Sequence, residues 1–98
     1  MILTTTNSIE GFKILDYKGV VSGISVNVQK MTVTFNMEKY YEAMADSMGL
    51  VKEQAFQQLQ DNAKKLNANA IVGIKVDIEL SSSNYIAVSV TGTSVSVA

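Results

Sequence analysis

The order in which hydrophobic periods change along this chain constrains its fold more than any single motif does. Apolar residues alternate at period two before Asn36, recur at three and four from Met37 to Leu66, and return to period two from Ala70 to Val97. A strand face repeats every second residue and a helix stripe every third or fourth, so the order reads strand, helix, strand, strand. One helix can cover one face of the resulting sheet. The expected class is α+β, in β-α-β-β order, with an antiparallel or mixed sheet and a long helix packed on one face.

In the first strand Val20, Ile24, Val26 and Val28 share one parity, with Ser22 the polar exception, while Gly23, Ser25, Asn27 and Gln29 hold the other. The apolar set is the expected buried face. The parity then moves to Met31, Val33 and Phe35, and such a one-residue slip predicts a bulge or turn over Gln29 to Met31. Asn36 caps the helix, with Glu38 in its first turn. The stripe runs through Tyr40 or Tyr41, Met44, Met48, Val51, Ala55, Leu59, Ala63 and Leu66. Unbroken, that helix would be about 45 Å long, whereas a compact domain of this size has a radius of gyration of about 13 Å. It must bend or project toward a neighbour. A break near Ser47-Met48-Gly49 is the expectation, because glycine costs about 1 kcal/mol relative to alanine in a helix and Ser47 can cap a second segment.

Lys64 and Lys65 complement the helix dipole in the last turn, and Asn67 supplies the left-handed residue that closes it. Val72, Ile74, Val76, Ile78 and Leu80 then alternate with Gly73, Lys75, Asp77 and Glu79. Ser81-Ser82-Ser83-Asn84 is a turn. Ile86, Val88 and Val90 follow, and at Gly92 the apolar parity changes to Val95 and Val97, which predicts a second bulge. Proline is absent and no linker composition interrupts the pattern, so residues 1–98 read as one domain.

Composition narrows the function classes. A 98-residue chain buries only about 60–65% of the surface its unfolded form exposes, so a second copy covering leftover apolar area is physically useful. Net charge is −1 and no basic cluster exceeds Lys64-Lys65, which argues against a nucleic-acid partner. The opening MILTTTNSIEG lacks the pattern of a secretory signal, and no apolar run reaches the roughly 20 residues of a membrane span. The expectation is a soluble cytoplasmic protein with no membrane partner. Cysteine and histidine are both absent, removing disulfides, thiolate nucleophiles, the commonest general base and the commonest transition-metal ligand.

Two blocks carry a family likeness. The opening ILTTTNSIEGFKILDYKGVVSG and the later LNANAIVGIKVDIEL, with GTSV near the end, resemble the YbjQ family of small bacterial proteins, often labelled heavy-metal-binding domains. The middle, Ile24 to Phe56, matches poorly, looks shorter than usual, and lacks the Gly-Gly-Arg patch that many members carry. The resemblance implies a dodecin-like β-α-β-β fold assembled as a ring, a pentamer, and it implies no established activity. Members usually have Leu-Gly-Ala-Asn-Ala where this chain has Leu66-Asn67-Ala68-Asn69-Ala70. Asparagine in place of that glycine keeps the left-handed backbone available, which marks the position as structural. Gly11, Gly19 and Gly23 are read in the same way, as ends or irregularities of strands, and Gly92 joins them as the bulge position.

Candidate site residues are few. Without cysteine or histidine the strong metal ligands are carboxylates, which suit Ca²⁺, Mg²⁺ or Mn²⁺ better than a heavy metal, so no cofactor is predicted. Asp77 and Glu79 share a strand face about 7 Å apart along the strand and are the weak metal candidates, with a solvated charged face beside Lys75 as the plainer explanation. Glu10, and Asp16 beside Tyr17, lack an orienting third group, and Thr4-Thr5-Thr6-Asn7-Ser8 offers hydroxyls without a base. Tyr40, Tyr41, Met44 and Met48 form an adaptable apolar stripe suited either to the core or to an interface between copies. The leading expectation is a non-enzymatic homo-oligomer presenting a surface or channel for a protein or small-molecule partner. The rival is a carboxylate-based divalent-cation or small-ligand binder.

Overall fold

A computed structural model describes residues 1–28, 37–80 and 85–98, and the side chains of residues 28, 37–41, 43 and 44 lie outside that description. The elements are β1 (Ile2–Leu3), β2 (Ile14–Val28), α1 (Met37–Lys65), β3 (Ala70–Leu80) and β4 (Tyr85–Val97). They build one mixed sheet in the order β1-β3-β4-β2, with β1 parallel to β3 and the other neighbours antiparallel. The α+β expectation matches this architecture. The short strand β1 was not legible, because two residues carry no period.

The helix does not break at Gly49. It runs unbroken through 29 residues, about 43 Å at 1.5 Å per residue. The chain accommodates that length by being elongated, with a radius of gyration of 16.5 Å and principal extents of 55 × 23 × 17 Å. A Cβ built on Gly49 meets nothing within 4 Å, so the residue sits on the open side of the helix and its cost there is entropic only. Asn67, at φ 61°, closes the helix, and Asn67 N donates to Lys64 O at 3.0 Å. The bulge expected over Gln29 to Met31, the strand through Met31, Val33 and Phe35, and the Ser81–Asn84 turn lie outside the described residues.

The helix covers β2 and β4 and barely reaches β3. Val51, Ala55, Leu59 and Ala63, spaced by four, are fully buried against Val21, Ile71, Ile86, Val88 and Val90. The buried parity of β2 is therefore Val21, Gly23 and Ser25, the reverse of the hydrophobic assignment. Val20, Ile24 and Val26 lie exposed on the far face. Close approach explains the reversal. A Cβ on Gly23 would fall on the Ala55 carbonyl oxygen and 2.9 Å from Leu59 N, so only glycine lets the helix backbone rest on β2. Gly23 is thus an interior contact rather than a strand end.

A second, smaller core lies on the far face. Ala70, Val72, Val95 and Val97 are buried there with Ile2 of β1, Ile9 and Ile14 of β2 packed against them. This second cover explains the parity change in β4, where residues 86, 88, 90, 92 and 94 face the helix while Val95 and Val97 are buried on the opposite side. No bulge sits in β4 at Gly92. The extra residue is on the neighbouring strand, between Val72 and Lys75, where Gly73 takes φ 62°. Gly92 lies directly across from it, and a Cβ there would come within 2.7 Å of Ile71 Cγ2. Gly11 occupies a turn at φ 83°. Gly19 sits at a register shift of β2, where its carbonyl accepts the buried Ser94 hydroxyl at 2.8 Å.

Candidate functional site

The two sheet edges are finished in different ways. At the β2 edge, α1 presents an amide row spaced by four, Gln54, Gln58 and Asn62, immediately beside its apolar stripe. Gln58 Oε1 accepts from Ile24 N at 3.1 Å, Asn62 Nδ2 donates to Ser22 O at 2.8 Å, and Gln54 Oε1 accepts from the Ser25 hydroxyl at 2.7 Å. Gln58 and Asn62 take backbone groups that an edge strand otherwise leaves free for another chain. Sequence reasoning passed over them. The i, i+4 spacing of three amides flanking the stripe was the available signal.

At the other edge the N-terminal segment pairs with β3 only as far as Ile74. Thr4 N donates to Ile71 O at 3.0 Å, Gly73 N to Thr6 O at 2.8 Å, and Ile74 N to Thr4 O at 3.1 Å. The hydroxyls of Thr4 and Thr6 are engaged with each other and with Ser8 O, so the Thr4–Ser8 run is an ordered strap along the edge. From Lys75 onward β3 has no neighbour on that side among the described residues.

Two apolar strips are exposed among the described residues. On β3, Val76, Ile78 and Leu80 pair with Val90, Val88 and Ile86 and so share their face, yet are exposed, Leu80 by 59%. On the far face of β2, Val20, Ile24 and Val26 are 79%, 57% and 56% exposed. Their β4 neighbours are the small residues Thr93, Ser89 and Ala87. A single exposed Leu is ordinary in a monomer, whereas strand-length rows are not.

Asp77 and Glu79 are both exposed, beside Ser89 and Ala87 on the far face, with Lys75 in the same row. Among the described residues no three carboxylates stand together as a metal cage. Asp16 forms a surface ion pair with Lys18 at 3.0 Å, of the kind worth little to stability, and Glu10 is exposed in a turn. Met48 is half-buried against the core between sheet and helix. The side chains of Tyr40, Tyr41 and Met44 lie outside the described residues. An open groove of about 650 Å³ follows α1, its described walls including Gly49, Leu50, Phe56 and Gln57. Its described polar lining is amides and a Lys52–Glu53 step, and among the described residues no nucleophile and base stand together there. No described helix is long and apolar enough to cross a membrane.

Comparisons with known proteins place the whole chain. Residues 1–98 match the model of the YbjQ_1 family, described as "Putative heavy-metal-binding". A UPF0145 protein of Clostridium kluyveri is 34% identical, and one of Clostridium botulinum is 32% identical, each alignment covering 97% of both chains. A crystal structure of a Pediococcus pentosaceus protein of unknown function from the DUF74 family superposes with a TM-score of 0.72 at 24% identity, covering 100% of this chain and 98% of that one. At that identity the structural likeness speaks for the fold alone.

Proposed function

The chain belongs to the YbjQ family of small proteins, and from that membership we propose that it is a non-enzymatic homo-oligomeric module, assembled as a ring, whose surface receives a protein or small-molecule partner. The observation that carries this reading is the pair of uncovered apolar strips, on β3 and on the far face of β2, in a 98-residue chain. Rows of that kind on a small soluble domain mark contact surfaces. The absence of histidine and cysteine from the sequence supports the non-enzymatic part, because it removes the residues that most acid–base and nucleophilic mechanisms depend on.

Native mass spectrometry of the gently purified protein tests the reading and reports any retained ligand at once. A ring is expected, five-fold if the count implied by the family likeness applies. A strictly monomeric chain at micromolar concentration in light scattering sinks it. Asp77 and Glu79 hold no metal in this reading, so calorimetric titration with Ca²⁺, Mn²⁺, Zn²⁺ and Ni²⁺ is expected to give no binding heat. A saturable signal abolished by Asp77→Asn would put a carboxylate site in its place.

A further inference from the structure

We infer that the edge of β3 from Lys75 to Leu80 receives an extended segment of a foreign protein as an added antiparallel strand. That segment carries basic residues opposite Asp77 and Glu79, an acidic residue opposite Lys75, and aliphatic residues between them. The inference rests on the reading above that a surface of this chain receives a partner, and it names the partner's chemistry and its seat.

Among the described residues this stretch of edge is neither latched nor strapped. On β2, Gln58 and Asn62 occupy Ile24 N and Ser22 O. On β3, the N-terminal strap ends where Ile74 N donates to Thr4 O, and beyond that point no described residue pairs with the strand from that side. The strap also shows which backbone groups face outward. Ile71 O and Ile74 N both bond to it, and Ile71 and Ile74 both pack their side chains into the core beneath the helix. Val76, Ile78 and Leu80 continue that parity, so their N–H and C=O groups face away from β4, while those of Lys75, Asp77 and Glu79 face it. A row of outward donors and acceptors is the template on which a further strand adds.

That parity sets what the added strand carries. Antiparallel addition is the more stable per residue, and it alternates two kinds of pair. Residues opposite Val76, Ile78 and Leu80 form the hydrogen-bonded pairs, about 5.5 Å apart at Cα, on the face where those three side chains are exposed and where aliphatic partners bury them. Residues opposite Lys75, Asp77 and Glu79 fall at the non-hydrogen-bonded pairs, about 4.5 Å apart at Cα, where side chains come closest and opposite charges attract most. All three of these side chains are exposed on the far face. From the position opposite Leu80 onward, the complementary segment therefore runs aliphatic, basic, aliphatic, basic, aliphatic, acidic.

A second copy's β3 fits less well, because one Lys75 cannot answer two carboxylates. An antiparallel pair centred on Asp77 sets Lys75 opposite Glu79 twice but also Asp77 opposite Asp77. Centred on Ile78, it sets Asp77 opposite Glu79 twice. Centred on Val76, Lys75 meets Asp77 twice, but Ile78 and Leu80 then lie opposite Ile74 and Val72, where the strap already occupies the edge.

The probe is an end-capped, dye-labelled peptide with the core Val-Lys-Val-Arg-Val-Glu, added to the purified full chain. Saturable binding of one peptide per chain is expected, with amide exchange at Val76 and Ile78 slowed at least tenfold and exchange at Lys75 and Asp77 little altered. Asp77→Lys should weaken binding about fivefold, and a peptide with glutamate in place of its arginine should recover the loss. No saturable binding, or protection elsewhere than at Val76 and Ile78, overturns the seat. Binding indifferent to Asp77→Lys overturns the charge pattern. Slow exchange at Val76 and Ile78 in the free protein gives the edge to a second copy if it quickens on dilution, and overturns the inference either way. A monomeric parent that binds the peptide removes the ring and retains this seat, whereas a ring that ignores the peptide does the reverse. An unchanged unfolding midpoint verifies that Asp77→Lys is folded, with Glu79→Lys and glutamate for the peptide's lysine as the substitute pair if it is not.

Discussion

The two faces of β2 carry opposite chemistry to what their burial would suggest. One face presents Val21, Gly23 and Ser25 and is buried under the helix, while the other presents Val20, Ile24 and Val26 and is exposed. The difference teaches that the approach of a backbone, rather than the hydrophobicity of a row, decided which face the helix took. Burial of Leu59, Val51 and the β4 valines supplies apolar contact on the near side, and small residues on β2 let that contact form at short range. The open row is then available to something outside the chain.

That contrast can be broken most forcefully at Gly23. Gly23→Ala is expected to cost about 3 kcal/mol in denaturant unfolding, because the new Cβ meets the Ala55 carbonyl and the helix must lift. A parent-like midpoint would show that the helix is not seated on β2 as described. Gly92→Ala, pressed against the Ile71 and Ile74 side chains that can yield somewhat, is expected to cost about 1–2 kcal/mol. Removing the amide latch with Gln58→Ala should cost about 0.5–1 kcal/mol. It should also speed hydrogen exchange at Ile24 N, and an unaltered exchange rate there would discount the latch. Gly49→Ala goes the other way, with a gain of about 0.5–1 kcal/mol, since the added methyl points into open space on a continuous helix. A loss instead would mean that the helix needs its glycine. Smallest of all, Val20→Ser should move unfolding by no more than about 0.5 kcal/mol when extrapolated to high dilution. A large intrinsic loss would place Val20 in the fold's own core.

How much of this was legible follows from what each signal encodes. The change of period at Asn36 and again at Ala70 is enough to order strand, helix, strand and strand, and Asn67 announced the helix end through its tolerance of left-handed backbone. The reading failed at Gly49 because it assumed a rounded shape, whereas the chain is drawn out along its helix. It failed at Gly92 because a parity change has two causes, a bulge in that strand or a second cover on the opposite face, and Ile2, Ile9 and Ile14 supply the second. The apolar strips at Val20 to Val26 and Val76 to Leu80 were visible as rows, but rows of valine and isoleucine look alike whether covered or open.

The sequence by itself determined the three long strands and the helix, their order, the closing of the helix at Asn67, and the absence of imidazole and thiol chemistry, because each is fixed by local period, backbone preference or composition. Tertiary structure alone decided which face of β2 is inside, where the bulge falls between β3 and β4, and which edge the helix amides latch. Those outcomes depend on how closely one backbone can approach another, and on which groups from distant parts of the chain meet there. No residue carries that information until its neighbour across the sheet is in place.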